Sequence, residues 1–573
     1  MNTLKKYLKP EVKLIILALS MKISNALLEL LLPYITSHII DVVVPTKSVR
    51  NIIIWTVTMI VCAFAAWRLG LNANRRASLV ARNVTENIRH DLFDKTIYLS
   101  SEKTDEFTIP SLEGRLTTDT YNVHRMIGMM MRMGIRGPII LVGGLVITFI
   151  MEPVLSLVLL ATIPFISVLV YFRTAKGVPM FRAIHKKNDR MVGVVRENAQ
   201  GIRVIKALSK TEYERERYRK VNGELRDATV TAQKRMSIIN PSMNFILNTG
   251  MAAVILVGAY RVSAGLSAAG KIIAFMSYFT IISRSVMQIG RMFLMLSQGL
   301  ASADRIEEVL TCESEKDWKP AEYPEGDPAY ALEFRDVTFS YLKVMDNLTD
   351  ISFKLKKGQT LGVIGATGSG KSTILALLLH FYNTDSGQIF LNGKDIRSWA
   401  PSELRSKFGV VMQNDFLFRD TLDENIRFGR TVSDEAVEKA IETAQAKEFI
   451  EQIDEGMQYQ LTGKGQNLSG GQRQRVLLSR AFAAEPDFLM LDDSSSALDY
   501  NTDAKLRKAI AEAYPDATKI IVAQRVSSVM NCDEILMLDG GKILASGKHD
   551  ELMADCELYA SIYESQMGGA LFD

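Results

Sequence analysis

Leu361-Gly362-Val363-Ile364 is followed by Gly365-Ala366-Thr367-Gly368-Ser369-Gly370-Lys371-Ser372-Thr373 and then by the apolar run Ile374 to Leu379. The short apolar segment reads as a buried strand and the run beyond the loop as a helix. The loop itself fits G-x-x-x-x-G-K-[ST] in the strand–loop–helix setting that the pattern requires. Its glycines let backbone N–H groups curl around phosphate oxygens, and the helix N-terminus adds the positive end of its dipole. By this logic Lys371 reaches the β- and γ-phosphates, and the Ser372 hydroxyl ligates Mg²⁺.

Four further elements extend the reading in both directions. Tyr341 ends the strand-like Val337-Thr338-Phe339-Ser340 and is placed to stack on an adenine ring. Gln413 follows Val410-Val411-Met412 and offers an amide that can ligate Mg²⁺ and sense the γ-phosphate. Leu468-Ser469-Gly470-Gly471-Gln472 opens the helix Arg473 to Ala484, a second anion-binding helix end. The apolar run Phe488-Leu489-Met490-Leu491 closes on Asp492-Asp493, and Ser496-Ala497-Leu498-Asp499 follows. In an ATP-hydrolysing cassette of this pattern, Asp492 holds Mg²⁺ and the residue at 493 polarises the attacking water.

The other half of the chain is different in kind. The 573 residues are too many for one domain, and the 47% hydrophobic content averages two unlike halves. Six apolar stretches near bilayer length stand at about 14–43, 51–73, 135–151, 153–173, 243–263 and 270–296. The connections at about 74–134 and 174–242 are long and rich in Lys and Arg, so the positive-inside rule puts them, with both termini, on the cytoplasmic side. The basic start Lys5-Lys6 leads into a segment too long for a cleavable signal, and a dozen or so preceding residues leave no room for a protease domain. A net charge of +4 without a basic, aromatic-interleaved stripe excludes nucleic acid as a partner. Cys62, Cys312, Cys532 and Cys556 lack paired spacing and read as reduced structural thiols.

Two membrane features bear on what such a chain would carry. Met126, Met129, Met130, Met131 and Met133 precede the third span, and Met276, Met287, Met292 and Met295 line the sixth. Methionine is flexible and polarisable, which suits varied apolar ligands, though ordinary helix packing explains the same residues. Arg284 lies within the sixth span and Arg291 at its lower end. An ionisable group at membrane depth is costly and tends to face a cavity or a partner, which singles out Arg284 with Met287 as substrate contacts.

The joint order of these motifs resembles the ATP-binding cassette (ABC) exporters, specifically the bacterial half-transporters. The resemblance implies an α-helical transmembrane domain of six long helices over 1–315. An α/β nucleotide-binding domain with a helical subdomain would follow over 330–573. It implies ATP and Mg²⁺ as ligands, and a location in the bacterial cytoplasmic membrane among bilayer lipids. In that family two cassettes pack head to tail, each ATP lying between one chain's phosphate loop and the other's LSGGQ segment. Ser111 to Asp119 and the region 207–214 would then be coupling helices that dock near the Gln413 loop.

The departures carry the finer reading. Asp493 stands where the family pattern has Glu and falls about 1.5 Å short of the water-orienting position; misplacements near 1 Å cost about a hundredfold in rate. Gln524 stands where the pattern has His, and Gln cannot become cationic. Gly463 replaces a Glu that many exporters carry before the signature. With Lys371, Ser372, Gln413 and Asp492 retained, the pattern resembles the weakly hydrolysing chain of heterodimeric multidrug exporters. A non-identical partner would then supply the catalytic Glu and His, and small amphipathic compounds would be the cargo. The alternatives are a homodimeric exporter, a lipid flippase and an ATP-gated sensor or channel subunit that does not pump.

Overall fold

The computed structural model describes residues 2–319, 321–341, 343–413 and 415–567. The chain divides into two units, one of Met1–Ile97 with Ile109–Cys312, the other of Tyr98–Thr108 with Glu313–Asp573.

The first unit is entirely helical because apolar stretches beyond bilayer length satisfy their backbone only within a helix. Val12–Thr46, Val49–Ile97, Ile109–Met151, Thr211–Ser263 and Ala269–Ile289 are long and apolar enough to cross a membrane, and Pro153–Leu169 is a shorter apolar piece. That last piece belongs to a continuous helix, Pro153–Gln200, with Pro164 and Pro179 inside it. Leu30, Leu155, Leu159, Val254, Phe275, Tyr278, Phe279 and Ile282 form the buried centre of the unit. The Tyr278 hydroxyl donates to the Leu30 carbonyl at 2.5 Å, joining the last span to the first. The helix is interrupted by π-helical turns at Ile39–Val43, Arg115–Asp119 and Met130–Gly134.

The short connections are held by carboxylates, one partly and one fully buried. Asp41 accepts from the Gly270 N–H at 2.6 Å and from the Ser37 hydroxyl at 3.1 Å. Glu152, only 2% exposed between the third and fourth spans, pairs with Arg261 at 3.2 Å and accepts from Ser267. One carboxylate thereby joins two hairpins.

The expected helix at 111–119 is placed differently. Ile109–Gly114 and the π turn after it run on into the third span. The separate short helix is Ser101–Phe107, capped by the Ser100 hydroxyl, which accepts from Lys103 N–H. It sits in the second unit: Tyr98 O accepts from Glu315 N–H at 2.8 Å, and the Tyr382 hydroxyl donates to Asp105 at 2.5 Å. In the other long connection the short helix is Ile202–Ala207, followed by a turn and then Thr211–Ser237.

The second unit has two sheets. Strands β1 Leu332–Phe339, β2 Leu348–Leu355, β4 Ser386–Leu391 and β5 Lys394–Asp395 make an antiparallel sheet in the order β2-β1-β4-β5. Strands β3 Thr360–Gly365, β6 Phe408–Val411, β7 Phe488–Asp492, β8 Thr518–Val522, β9 Glu534–Asp539 and β10 Lys542–Gly547 make the other, in the order β10-β9-β3-β8-β7-β6. Its inner strands are parallel and nearly all apolar, as burial on both faces requires. A helical segment built on Leu422–Arg427, Asp434–Thr443, Lys447–Glu451 and Gly470–Phe482 has its own core around Leu417, Ile441, Phe449 and Leu477.

Replacing Glu152 by Ala leaves Arg261 without its carboxylate at a buried joint, so it should lower the unfolding free energy by about 3 kcal/mol or more. Glu152→Gln, which keeps a partner for Ser267, should cost less. Thermal melts of the detergent-solubilised protein check the order; equal melting of Glu152→Ala and wild type contradicts it.

Candidate nucleotide site

Parallel strands deliver their loops to one edge of the sheet, and ligands of such sheets sit beyond the carboxyl ends. Here β3, β8 and β7 are neighbours in that order, so the loops that follow them meet. The phosphate loop leaves β3, Ala523-Gln524 leave β8, and Asp492-Asp493 end β7. They line one cleft of about 220 Å³ together with Asn347, Thr367, Gly368, Gly370, Lys371, Ser372, Thr373 and Gln413.

Local geometry within the loop follows from its glycines. A Cβ on Gly365 would lie 2.2 Å from the Leu538 carbonyl oxygen, so the turn out of β3 admits no side chain. Ser369 is 2% exposed, and its hydroxyl is buried without a hydrogen-bond partner among the described residues. A buried hydroxyl without a partner calls for an explanation, and this one stands against the turn out of β3, where a Cβ on Gly365 would come within 2.7 Å of it. The Lys371 ammonium donates to Gly365 O at 2.9 Å and Ala366 O at 2.7 Å. Burial holds its pKa below the ordinary lysine value, against the pull of Asp492 and Asp493.

The Ser372 hydroxyl donates to Asp492 Oδ2 at 2.8 Å. Asp492 is 4% exposed, and burial raises its pKa above the usual carboxylate range, with Asp493 adding to the effect and Ser372 opposing it. The Gln413 backbone N–H also acts on Asp492. The Ser372 hydroxyl and the Asp492 carboxylate are paired hard oxygen donors, Gln413 lines the same cleft, and the set suits Mg²⁺ when a phosphate completes it. Tyr341 is half exposed, edge-on to Phe339 at 4.8 Å and to Tyr382 at 5.0 Å, with its hydroxyl 3.4 Å from Thr373 Oγ1.

The two altered positions touch each other. Gln524 Nε2 donates to Asp493 Oδ2 at 3.5 Å, and Asp493 holds a left-handed φ of 49° while its N–H bonds Val522 O. The sequence marks both residues, but only the strand order shows that they form one corner of the cleft.

The LSGGQ segment stands elsewhere in the unit and does not line this cleft. Leu468 is buried; Ser469 and Gly470 are exposed. Ser469 caps the helix, its hydroxyl accepting from Gln472 N–H at 3.3 Å while Gln472 Oε1 accepts from Ser469 N–H at 2.9 Å. Asp499 caps the next helix, Tyr500–Ala513, through Thr502, whose hydrogen bonds hold the carboxyl pKa below its usual range. In the membrane unit Arg284 is exposed and Met287 partly exposed on the last long helix, while the Arg291 side chain lies outside the described residues.

Removing the Lys371 ammonium takes a charge-assisted contact from a partly desolvated cleft. Lys371→Ala should weaken nucleotide binding at this site by about tenfold to a hundredfold. Tyr341→Ala should weaken it less, and Tyr341→Phe hardly at all, because stacking needs only the ring. Titration with a fluorescent ATP analogue checks both; unchanged occupancy in Lys371→Ala contradicts the assignment.

Comparison with known proteins agrees with this geometry. Residues 15–286 match the family model described as the ABC transporter transmembrane region, and 348–496 match the one described as ABC transporter. The chain is 32% identical over 564 residues to the uncharacterised ABC transporter ATP-binding protein YfiB of Bacillus subtilis, covering 98% of each. It is 31% identical over 492 residues to a protein of Mycobacterium bovis named as a fatty acid ABC transporter ATP-binding/permease protein, covering 85% of this chain and 77% of that one. Its fold is that of a bacterial Atm1-family ABC exporter with ATP bound, at a TM-score of 0.79, 22% identity and 98% coverage of both chains. With a helical membrane unit and a nucleotide-binding unit in one chain, the protein belongs to the ABC transporters, as a multi-pass membrane half-transporter of exporter fold whose transport is coupled to ATP hydrolysis.

Proposed function

We propose that this chain is the weakly hydrolysing half of a heterodimeric exporter of amphipathic or apolar compounds, of the multidrug type, in the bacterial cytoplasmic membrane with both termini in the cytoplasm. The observation that carries the reading is the Gln524–Asp493 contact. Both altered residues fall at one corner of the cleft, and Thr367, Gly368, Gly370, Lys371 and Thr373, with the Ser372–Asp492 pair, line it around them. Mg²⁺ held by Ser372, Gln413 and Asp492 would neutralise phosphate charge; Lys371 orients the same phosphates. Asp493 is too short to hold a water in line, so this cleft binds ATP and turns it over slowly.

The exposed LSGGQ helix end serves the other cleft. Its capping box pre-forms a helix N-terminus aimed outward, which suits the γ-phosphate of ATP bound to the partner's phosphate loop. The partner's own Glu and His would act there. Methionines on the sixth span supply adaptable apolar surface, and Arg284 with Met287 would touch the cargo. The relative named as a fatty acid transporter also favours a substrate with an apolar chain.

The asymmetry is directly testable. Gly471 lies 3.3 Å, measured from an added Cβ, from the Ala497 carbonyl, so Gly471→Asp crowds the signature and brings a negative charge to a phosphate site. ATP hydrolysis by the co-purified complex should fall by about a hundredfold in Gly471→Asp, in line with loss of positioning. Asp493→Asn should retain about half or more. Equal losses from the two contradict the asymmetric reading.

Expressed alone, the chain should hydrolyse ATP slowly and regain turnover when its partner is added. Robust, Asp493-dependent ATPase activity from a homogeneous preparation of this chain would sink the heterodimer and leave the homodimer.

A further inference from the structure

Three basic side chains of the membrane unit, Lys22, Arg132 and Arg136, collect around a single acid, Glu29. Lys22 of the first span is 7% exposed and donates to Asn74 Oδ1 at 3.0 Å, an amide that leaves its charge uncompensated. The charged groups acting on it are Arg136, Glu29 and Arg132, two cations and one anion. Glu29 is already engaged: Arg136 holds it with two contacts from Nη2, at 2.7 and 2.8 Å, and one from Nε at 3.2 Å. Arg136 also reaches Gln288 Oε1 of the last span at 3.4 Å. Arg132 donates Nε to the Gly128 carbonyl at 2.9 Å and has no carboxylate partner among the described residues. Lys22, Arg132 and Arg136 against Glu29 leave a net charge of about +2 within a low-dielectric bundle, a costly arrangement without a counter-ion.

Position gives this charge a direction. Arg284 and Gln288 are one turn apart on the same helix face, and Gln288 meets Arg136, so exposed Arg284 extends the cluster by about 6 Å along the span. The cations therefore form a ladder on three helices, from Lys22 and Arg132 through Arg136 to Arg284. The π turn Met130–Gly134, carrying Arg132, breaks regular helix at this level, and such turns are frequent at functional sites. Met292 and Met130 lie beside Gly134, so apolar, adaptable surface adjoins the charge.

We infer that Lys22, Arg132, Arg136 and Arg284 form an anion-binding site that receives the acidic head of an amphiphile, a carboxylate or phosphate, while the methionine surface takes its chain. Glu29 is a positioning residue: it holds Arg136 in a fixed fork and limits the net charge. The inference rests on the exporter reading above and narrows its cargo from amphiphiles in general to anionic ones. Arginine favours such a role because its planar fork matches a carboxylate or phosphate.

The test is binding, without ATP, by the full chain with its co-purified partner in phosphatidylcholine nanodiscs. Three probes share one dansyl-labelled alkyl chain and end in carboxylate, alcohol or trimethylammonium. The carboxylate probe should bind about tenfold more tightly than either of the others, the size of one charge-assisted hydrogen bond. Arg284→Gln and Arg132→Gln should each remove about that tenfold while leaving the alcohol probe within about twofold, and Glu29→Gln should tighten the carboxylate probe. Retained binding of a fluorescent ATP analogue shows that each variant is folded. Competition from added phosphatidylglycerol identifies a lipid headgroup as the source of the anion, and its absence identifies a free acid; either outcome keeps the site. Equal binding of all three probes, or parallel losses for carboxylate and alcohol, overturns it. If the probes bind alike yet stimulate ATP hydrolysis, the anion site falls and the exporter stands; if none binds or stimulates, both fall.

Discussion

The hydrogen bond from Ser372 to Asp492 is the contact on which the rest of the nucleotide unit depends. It joins the first turn of the phosphate-loop helix to the last residue of β7, two strands away from β3 in the sheet. That separation leaves room for β8, whose end carries Gln524 into the gap. Strand order thus decides which residues surround the terminal phosphate, and it decides this before any catalytic side chain is chosen. Changing Glu to Asp and His to Gln leaves the frame intact, because neither residue supports the loop. On the reading proposed above, binding would belong to the phosphate loop with Lys371, and hydrolysis to the corner of Asp493 and Gln524.

A second consequence of packing lies around Tyr341, outside the lining of the cleft. Tyr341, positioned for base stacking, meets Tyr382 edge-on at 5.0 Å, and Tyr382 donates to Asp105 at 2.5 Å. Asp105 belongs to the short helix Ser101–Phe107, a piece of the long connection between the second and third spans that packs with the nucleotide unit. Two direct contacts thus link Tyr341, the proposed base-stacking ring, to the short helix Ser101–Phe107 within the nucleotide unit. Coupling between sites needs contiguous elements with discrete arrangements, and Tyr341 meets Tyr382 in the T-shaped geometry that aromatic pairs prefer.

The sequence made the nucleotide site legible because its motifs are local: the glycine loop, the capping box of Ser469 and Gln472, and the acids ending an apolar strand are each set within a dozen residues. The spans were legible for the same reason, since length and hydropathy are properties of single segments. The hairpin tip was not. Ser111 to Asp119 and Ser101 to Phe107 both mix helix formers with charges, and what distinguishes them is the distant pairing of Asp105 with Tyr382. The ladder of cations was likewise visible only at Arg284. Lys22, Arg132 and Arg136 stand near the edges of apolar runs, where composition reads them as interfacial; the contacts of Arg136 with Glu29 and Gln288, on other helices, and the charges acting on Lys22 show that they stand together. The Gln524–Asp493 contact joins residues on different strands and needed the sheet order as well.

The charge balance of the altered corner adds a constraint that neither substitution conveys alone. Asp492 is buried with its pKa raised, and Asp493 beside it raises it further, so the carboxylate pair depends on a nearby cation. Lys371 supplies one, itself partly desolvated. A histidine at 524 would add a group able to take up a proton as phosphate charge develops. Gln524 is neutral at every pH and donates to Asp493 instead. Its amide hydrogen-bonds the short carboxylate and brings no positive charge to the corner. On the reading proposed above, such a corner would take nucleotide together with its divalent cation and would offer no positive group to the developing phosphate charge.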